Sequence, residues 1–160
     1  MNRYIFDLWI FLPSYFANMA PVVISSLLKN RRPLDLGRKF IDGKRVLGDN
    51  KTFEGLIFSL AIGITVGLVQ GRVRDGVLLS IGANVGDLVG SFMKRRLNIS
   101  SGMSLPIIDQ EGFLVASMIF ISGRYNFSVD EIVFLLSFTF IAHVVANVIA
   151  YILHLKPVPY

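Results

Sequence analysis

Val77-Leu78-Leu79-Ser80-Ile81-Gly82-Ala83-Asn84-Val85-Gly86-Asp87-Leu88-Val89-Gly90-Ser91-Phe92 is the stretch whose reading decides the fold, because a long apolar run carries a single ionisable residue, Asp87, in its interior. With its flanks the run reaches the ~17 to 25 residues a bilayer-spanning helix needs. A carboxylate at that depth is costly and marks a functional site. Asn84, Asp87, Ser91, Lys94 and Arg95 follow one another at spacings of three, four, three and one, which puts them on one side of a helix. That polar side runs from the membrane interior to a cationic end.

The rest of the chain fits this reading. Charged residues make up 17% of the 160 residues and hydrophobic ones 53%, with a mean hydropathy of +0.60. A soluble domain carries about 25% charged residues, so the composition indicates an integral membrane protein. Tyr4 to Leu28, Phe53 to Val69, Val77 to Phe92 and Ile132 to Leu155 are long apolar segments, and Leu105 to Gly123 is a further one, interrupted near its start by Asp109, Gln110 and Glu111. The expectation is an all-α polytopic membrane protein of about five transmembrane helices, with residues 1–160 as one membrane-embedded domain.

The apolar N-terminal segment lacks a small-residue cleavage site and contains Asn18, so it reads as a retained helix. Cysteine is absent, which excludes disulfides, thiolate metal sites and thiol nucleophiles. Lys29, Arg31, Arg32, Arg38, Lys39, Lys44, Arg45 and Lys51 crowd the loop before the second span, and Lys94, Arg95 and Arg96 follow the third. Cations mark the cytoplasmic side. The loops at about 29–52 and 93–105 are therefore expected in the cytoplasm, with the N-terminus outside and the C-terminus inside.

The first loop interleaves cations with Gly37, Gly43, Gly48 and Gly55 and closes with Asn50-Lys51-Thr52 at the mouth of a helix. Backbone N–H groups and cationic heads so arranged suit a phosphate chain. The P-loop spacing is absent and no strand precedes it. The competing reading is a loop made basic by orientation and anionic lipids alone, which leaves the glycines unexplained.

Asp87 and Asp109 are expected at similar depth. Asp87 lies about 9 Å below the helix exit near Met93, at ~1.5 Å per residue, and Ser104 and Pro106 read as helix-start residues that put Asp109 in the first turns of the fourth span. Two carboxylates beside phosphate-seeking cations suit Mg2+, which takes one or two protein carboxylates plus substrate phosphates. The competing reading is a buried ion pair of Asp87 with Lys94 or Arg95. Ser14 with Asn18, and His143 with Asn147, are polar pairs at i, i+4 expected to bond between helices, with pocket lining as the competing reading. Gly82, Gly86 and Gly90 form a stripe for close helix packing. Ser128-Val129-Asp130-Glu131 reads as a capping box opening the last helix.

Pro13-Ser14-Tyr15-Phe16-Ala17-Asn18-Met19-Ala20-Pro21, the loop Asp42-Gly43-Lys44-Arg45-Val46-Leu47-Gly48-Asp49-Asn50-Lys51-Thr52-Phe53-Glu54-Gly55, and Gly86-Asp87 with Ser91, Lys94, Arg95 and Arg96 before Leu105-Pro106-Ile107-Ile108-Asp109-Gln110 together resemble the archaeal CDP-archaeol synthases, across nearly the whole chain. Those enzymes are similar to phosphatidate cytidylyltransferases. The resemblance implies transfer of CMP from CTP to 2,3-bis-O-geranylgeranylglycerol 1-phosphate, with release of pyrophosphate and a requirement for Mg2+. The implied partners are CTP, an isoprenoid glycerol ether-lipid phosphate and the membrane, with no nucleic acid, and the implied location is the cell membrane with the site toward the cytoplasm.

Asp87, Lys94 and Asp109 are the expected catalytic residues, with Asp87 and Asp109 holding metal. Lys44, Arg45, Gly48, Asn50, Lys51, Thr52, Asn84, Ser91 and Arg95 are the expected nucleotide and phosphate contacts, and Asn18 and Glu111 are candidate pocket residues. One position departs from the family pattern. Where the family reads Asp-Gln-x-Asp-Phe, this chain has Asp109-Gln110-Glu111-Gly112-Phe113. Residue 112 follows Asp109 by three and is expected on its face, so the chain is expected to hold its metal through fewer carboxylates than its relatives.

A lipid phosphate, with a second pKa near ~6, is already ionised at neutral pH and needs no general base. No histidine stands near the cationic loops in the sequence. Two alternatives are weaker. A CDP-alcohol phosphotransferase requires Asp-Gly-x2-Ala-Arg, whereas Lys44-Arg45-Val46-Leu47 follows Asp42-Gly43 here. A small transporter needs polar groups reachable from both sides, and here they crowd toward one.

Overall fold

The computed structural model describes residues 2–28, 30–101, 103, 105 and 107–152. Five helices follow in order: α1 Arg3–Leu27, α2 Phe53–Val69, α3 Val73–Arg96, α4 Ile108–Ile121 and α5 Val129–Ile152. No strand forms among the described residues, and the all-α expectation holds. Spans within α1, α3 and α5 are long and apolar enough to cross a membrane, and α2 is a shorter apolar helix. α4 has 14 residues, about 21 Å at ~1.5 Å per residue, against a hydrocarbon core of about 30 Å. The interrupted fifth segment thus gives a helix shorter than its apolar length suggested. Lys29, Ser104 and Pro106, used above for orientation and helix starts, lie outside the described residues.

Two prolines inside α1 determine how α2 docks. Pro13 and Pro21 have no N–H to donate to the carbonyls four residues earlier, those of Trp9 and Ala17. In lipid, freed carbonyls need new donors. α2 and the Gln70 that caps it supply both, as Gln70 Nε2 donates to the Trp9 carbonyl at 2.7 Å and the Ser59 hydroxyl to the Ala17 carbonyl at 2.6 Å. These bonds set the register of α1 against α2 at two points.

The glycine stripe of α3 behaves as expected. A Cβ at Gly82 would stand 2.6 Å from Ser117 Cα, and one at Gly86 would run into the Gly112 carbonyl. α3 and α4 therefore meet backbone to backbone. α3 packs against α1, α2 and α4, while α5 leans on α1 and α4 alone. The core is filled by Ile10, Phe11, Leu79, Phe113, Leu114, Ile121 and Leu135. Ser14 meets Ser117 hydroxyl to hydroxyl at 2.7 Å, an interhelical bond of the expected kind made with α4.

At the end of the bundle remote from Lys94, Asp75 is buried and takes hydrogen bonds from Arg72, Arg124 and Tyr125. The capping box forms, with Ser128 N donating to Glu131 Oε2 at 2.7 Å and Glu131 N to Ser128 Oγ at 3.4 Å. Arg3 pairs with the same Glu131 and ties α1 to α5.

Candidate active site

The long loop between α1 and α2 is organised by Asp35, which sequence reasoning passed over. Its carboxylate accepts from the backbone N–H groups of Gly37 (3.1 Å), Leu47 (3.0 Å) and Gly48 (2.9 Å) and from Arg45 Nε (3.1 Å) and Nη2 (2.7 Å). Burial pushes this carboxyl up, but the Arg45 guanidinium and the N–H groups of Gly48, Leu47 and Gly37 outweigh it and hold it well below the usual carboxylate range. Gly48 turns at φ +102°, a conformation side-chain-bearing residues rarely adopt, and so directs its N–H at Asp35. The result is a fixed Leu47–Thr52 segment.

A small turn in the same loop grips the end of α3. Lys39 and Arg45 form an isolated bridge. Arg96 lies over the rings of Phe40 and Phe92 at 5.0 and 4.6 Å and donates to the Arg45 carbonyl, and Lys44 Nζ donates to the Arg96 carbonyl at 2.7 Å. The heads of Lys44 and Arg45, expected on phosphate, are thus engaged elsewhere, Lys44 at the end of α3 and Arg45 with Asp35 and Asp49 inside the loop, and neither lines the polar cavity. The sequence offered too many similar cations to tell holders of the loop from holders of ligand.

That cavity measures about 250 Å³ and is walled by Asn50 and Lys51 from the loop, Ser91, Lys94 and Arg95 from α3, Asp109 and Gln110 from α4, and His143 and Asn147 from α5. A small neighbouring cavity of about 20 Å³ shares Asn50 and Lys51 and adds Thr52, Asn84 and Asp87. Most of the expected site residues therefore come together from distant parts of the chain. Thr52 is buried, and its hydroxyl accepts from Gly55 N at 3.1 Å as the cap of α2. Asn84 donates to the Ser59 hydroxyl at 2.8 Å, which fixes its amide against α2. Gly48 stays behind the wall, within reach of Ser101 and Arg95. Asn18 is half-buried on α1 and is not among the residues lining the polar cavity.

The two carboxylates are each held by a lysine. Lys51 Nζ reaches both oxygens of Asp87 at 2.6 Å. Lys94 Nζ donates to Asp109 at 2.9 Å, and Leu105 N to the same carboxylate at 2.8 Å. Asp87 pairs with the loop rather than with Lys94 or Arg95, so the ion pair weighed from the sequence is replaced by one across elements. Ile107, at φ +71°, turns the chain into α4 in a conformation that costs a β-branched residue energy, and this turn puts Asp109 at the cavity.

Arg95 is different. It is 9% exposed, lines the cavity, has a buried Nε without a hydrogen-bond partner, and pairs with no carboxylate among the described residues. A buried guanidinium without a counter-charge is expensive. With Lys51 and Lys94 matched by Asp87 and Asp109, Arg95 leaves surplus positive charge for an anion.

His143 and Asn147 were expected as helix-to-helix glue. The structure adds them to the cavity wall, and the His143 ring meets the Phe113 ring edge-on at 5.9 Å. Their i, i+4 spacing on an apolar helix was the signal for this. Glu111 and Gly112 face elsewhere. Both line an apolar groove between α3 and α4, and Gly112 abuts Gly86, so position 112 does not share the polar wall with Asp109. That corrects the face expected for residue 112.

Asp87 and Asp109 suit Mg2+ as donors. Both are partly exposed, at 36% and 29% of their side chains, and each already holds a cation. No cluster of three acidic or histidine ligands occurs among the described residues, and Mg2+ needs none when substrate phosphates complete its shell.

A helical membrane bundle with a cationic, carboxylate-bearing cavity at one end defines an intramembrane protein that handles phosphate-bearing molecules. The model of the CarS-like CDP-archaeol synthase family matches residues 1–77 and 72–160. A CDP-archaeol synthase from Thermococcus gammatolerans is 43% identical, covering 96% of this chain and 94% of its own, and one from Pyrococcus horikoshii is 39% identical over 100% and 99%. A solved structure described as an intramembrane enzyme for archaeal membrane lipids biosynthesis superposes with a TM-score of 0.78 at 34% identity, covering 88% of this chain and 91% of the other. This chain belongs to the CDP-archaeol synthase family.

Proposed function

We propose that the protein transfers CMP from CTP to an isoprenoid glycerol ether-lipid phosphate, 2,3-bis-O-geranylgeranylglycerol 1-phosphate, in archaeal phospholipid biosynthesis. An oxygen of the lipid phosphate attacks the α-phosphorus of CTP, the bond to the β-phosphate breaks, and pyrophosphate leaves. The nucleophile is already anionic at neutral pH, so no side chain needs to take its proton. What the protein must do is hold two polyanions together and stabilise charge on the leaving group.

Arg95 carries this reading, since a buried guanidinium lacking a counter-anion at the cavity wall asks for a phosphate. Lys51 and Lys94 move from their carboxylates to phosphate oxygens when substrate enters, and Asn50 and Ser91 add hydrogen bonds from the same wall. Asp87 and Asp109, freed of their lysines, would hold Mg2+. The ion, when bound, neutralises phosphate charge in the transition state. His143 and Asn147 face the same space and offer polar contacts to the nucleotide.

The cavity lies at the bundle end that carries the basic loops. That end faces the cytoplasm, where CTP is available, with the N-terminus outside and the C-terminus inside. Residues 1–160 act as one membrane-embedded domain. Pyrophosphate release by the purified protein tests the reading. It should require CTP, Mg2+ and a dialkylglycerol phosphate together, and release without the lipid phosphate would refute it.

A further inference from the structure

The loop between α1 and α2 reaches out to a tight hairpin whose tip is apolar. Phe40 N donates to the Lys44 carbonyl at 2.8 Å, Val46 N to the Arg38 carbonyl at 3.1 Å and Gly43 N to the Phe40 carbonyl at 2.9 Å. These bonds close the turn Phe40-Ile41-Asp42-Gly43. Glycine, proline, asparagine, aspartate and serine dominate such turns, yet here Ile41 stands 94% exposed. A bare β-branched side chain at the tip of a fixed turn calls for apolar surroundings.

The neighbours of Ile41 locate those surroundings. Phe40 meets the Phe92 ring edge-on at 5.2 Å, and Asp42 pairs with Arg96 at 3.2 Å. On α3, Ile81, Val85, Val89, Phe92 and Arg96 follow at spacings of four, four, three and four, which makes one stripe of the helix. Ile81, Val85 and Val89 are exposed on a helix long and apolar enough to cross a membrane, so the stripe faces lipid. The hairpin therefore grips the lipid side of α3, away from Ser91, Lys94 and Arg95, which wall the polar cavity. Phe92 precedes the last residue of α3 by four, about 6 Å at ~1.5 Å per residue. Interfacial segments bury their apolar side to a similar depth, ~5–10 Å, at the boundary of headgroups and acyl chains.

Charge completes the match. Arg38 and Lys39 lead into the tip, both are exposed, and neither side chain pairs with a carboxylate among the described residues. Cations beside an exposed isoleucine suit lipid chains beneath anionic headgroups.

We propose that this hairpin is a membrane anchor for the loop that walls the polar cavity: Ile41, backed by Phe40, sits in the lipid interface beside the end of α3, and Arg38 and Lys39 engage anionic headgroups of that leaflet. The loop is then held at three points, by the bilayer at its tip, by Asp35 inside it and by Asp87 at Lys51. Anionic lipid thereby steadies the segment that carries Asn50 and Lys51 to the cavity.

A nitroxide on Ile41→Cys, unique in this cysteine-free chain, reads the placement in nanodiscs. Oxygen, which concentrates in lipid, should relax the label at least threefold more effectively than a water-soluble nickel chelate. Relaxation mainly by the chelate would leave the tip in water and overturn the proposal. Shielding from both agents would put protein over the tip, a second copy included, and would overturn it too. Each cation near an anionic surface favours docking about fivefold, so the oxygen-to-nickel ratio should be at least twofold higher in anionic nanodiscs than in neutral ones. Arg38→Gln with Lys39→Gln should abolish that difference; a parent without it, or a double variant that keeps it, would refute the part given to the headgroups. Unlabelled Ile41→Ser checks that the nitroxide does not itself drive insertion. Trypsin should cut this variant after Arg38 and Lys39 at least fivefold faster than the parent in anionic nanodiscs, with thermal unfolding in detergent unchanged, and cutting at the parental rate would contradict the anchor. None of these readouts involves turnover, so failure of the proposed reaction would leave the anchor standing.

Discussion

Replacing Asp35 with asparagine should unfasten the first loop while leaving the helices intact. Five donors converge on this carboxylate, and its side chain is 1% exposed. Asparagine removes the charge and turns an N–H group toward donors that already lack space for one. Breaking one side of a buried ion pair costs about 3–5 kcal/mol. Arg45 keeps Asp49 at 2.9 Å and is partly exposed, which argues for the lower figure. At ~1.4 kcal/mol per decade, about 3 kcal/mol lowers the closed-loop population roughly a hundredfold relative to open forms. Asn50 and Lys51 reach the cavity only through this loop, so KM for CTP should rise at least tenfold, and limited proteolysis should cut between residues 36 and 48. The pH dependence has a definite sign. A carboxyl whose folded pKa lies below its ordinary value, ~3.9, stabilises fully above that pH and loses its contribution as pH falls through the folded value. Protease protection of the parent should therefore hold at about pH 5 and decline only in stronger acid, while the variant stays unprotected at both. A KM for CTP within twofold of the parent would refute the role given to Asp35.

Asp87→Asn and Asp109→Asn should each lose at least ~2–3 kcal/mol of transition-state stabilisation in kcat/KM, the scale of one electrostatic catalytic group; near-parental turnover by either would remove that residue from the metal site. Gly112→Asp, which restores the family's second aspartate, should leave the Mg2+ needed for half-maximal rate unchanged and lower thermal stability, because it sets a carboxylate against α3 at Gly86; a lower Mg2+ requirement would mean that α3 and α4 separate to admit it. Single cysteines in this cysteine-free chain at Asn2, Lys39, Gly71, Ile99 and Pro159 should map the orientation: labelling of Lys39→Cys or Ile99→Cys by an impermeant reagent from outside would reverse it.

The helices were legible because apolar length and period are local properties. Val77 to Phe92 named the interior of α3, and the Ser128-Glu131 box named the start of α5. The glycine stripe was legible for the same reason, since small residues at spacing four favour a close helix contact over a ligand role. The division of labour among the loop cations was not. Arg45 and Lys51 look alike in sequence, and turns at Gly43 and Gly48 send one to Asp35 and the other to Asp87. His143 and Asn147 joined the site through the packing of α5 on α4 and α1, a tertiary fact with no local trace beyond their shared face. The match of Gln70 and Ser59 to the carbonyls freed by Pro13 and Pro21 was hidden for the same reason, although each proline announced a carbonyl in need.

The most direct test follows the phosphorus. With purified protein, Mg2+ and a dialkylglycerol phosphate, label in the α-phosphate of CTP should pass into an organic-extractable product, while label in the γ-phosphate should appear only in water-soluble pyrophosphate. Both transfers should vanish in Asp87→Asn. γ-label in the lipid, or α-label released as free CMP without a lipid product, would contradict the account.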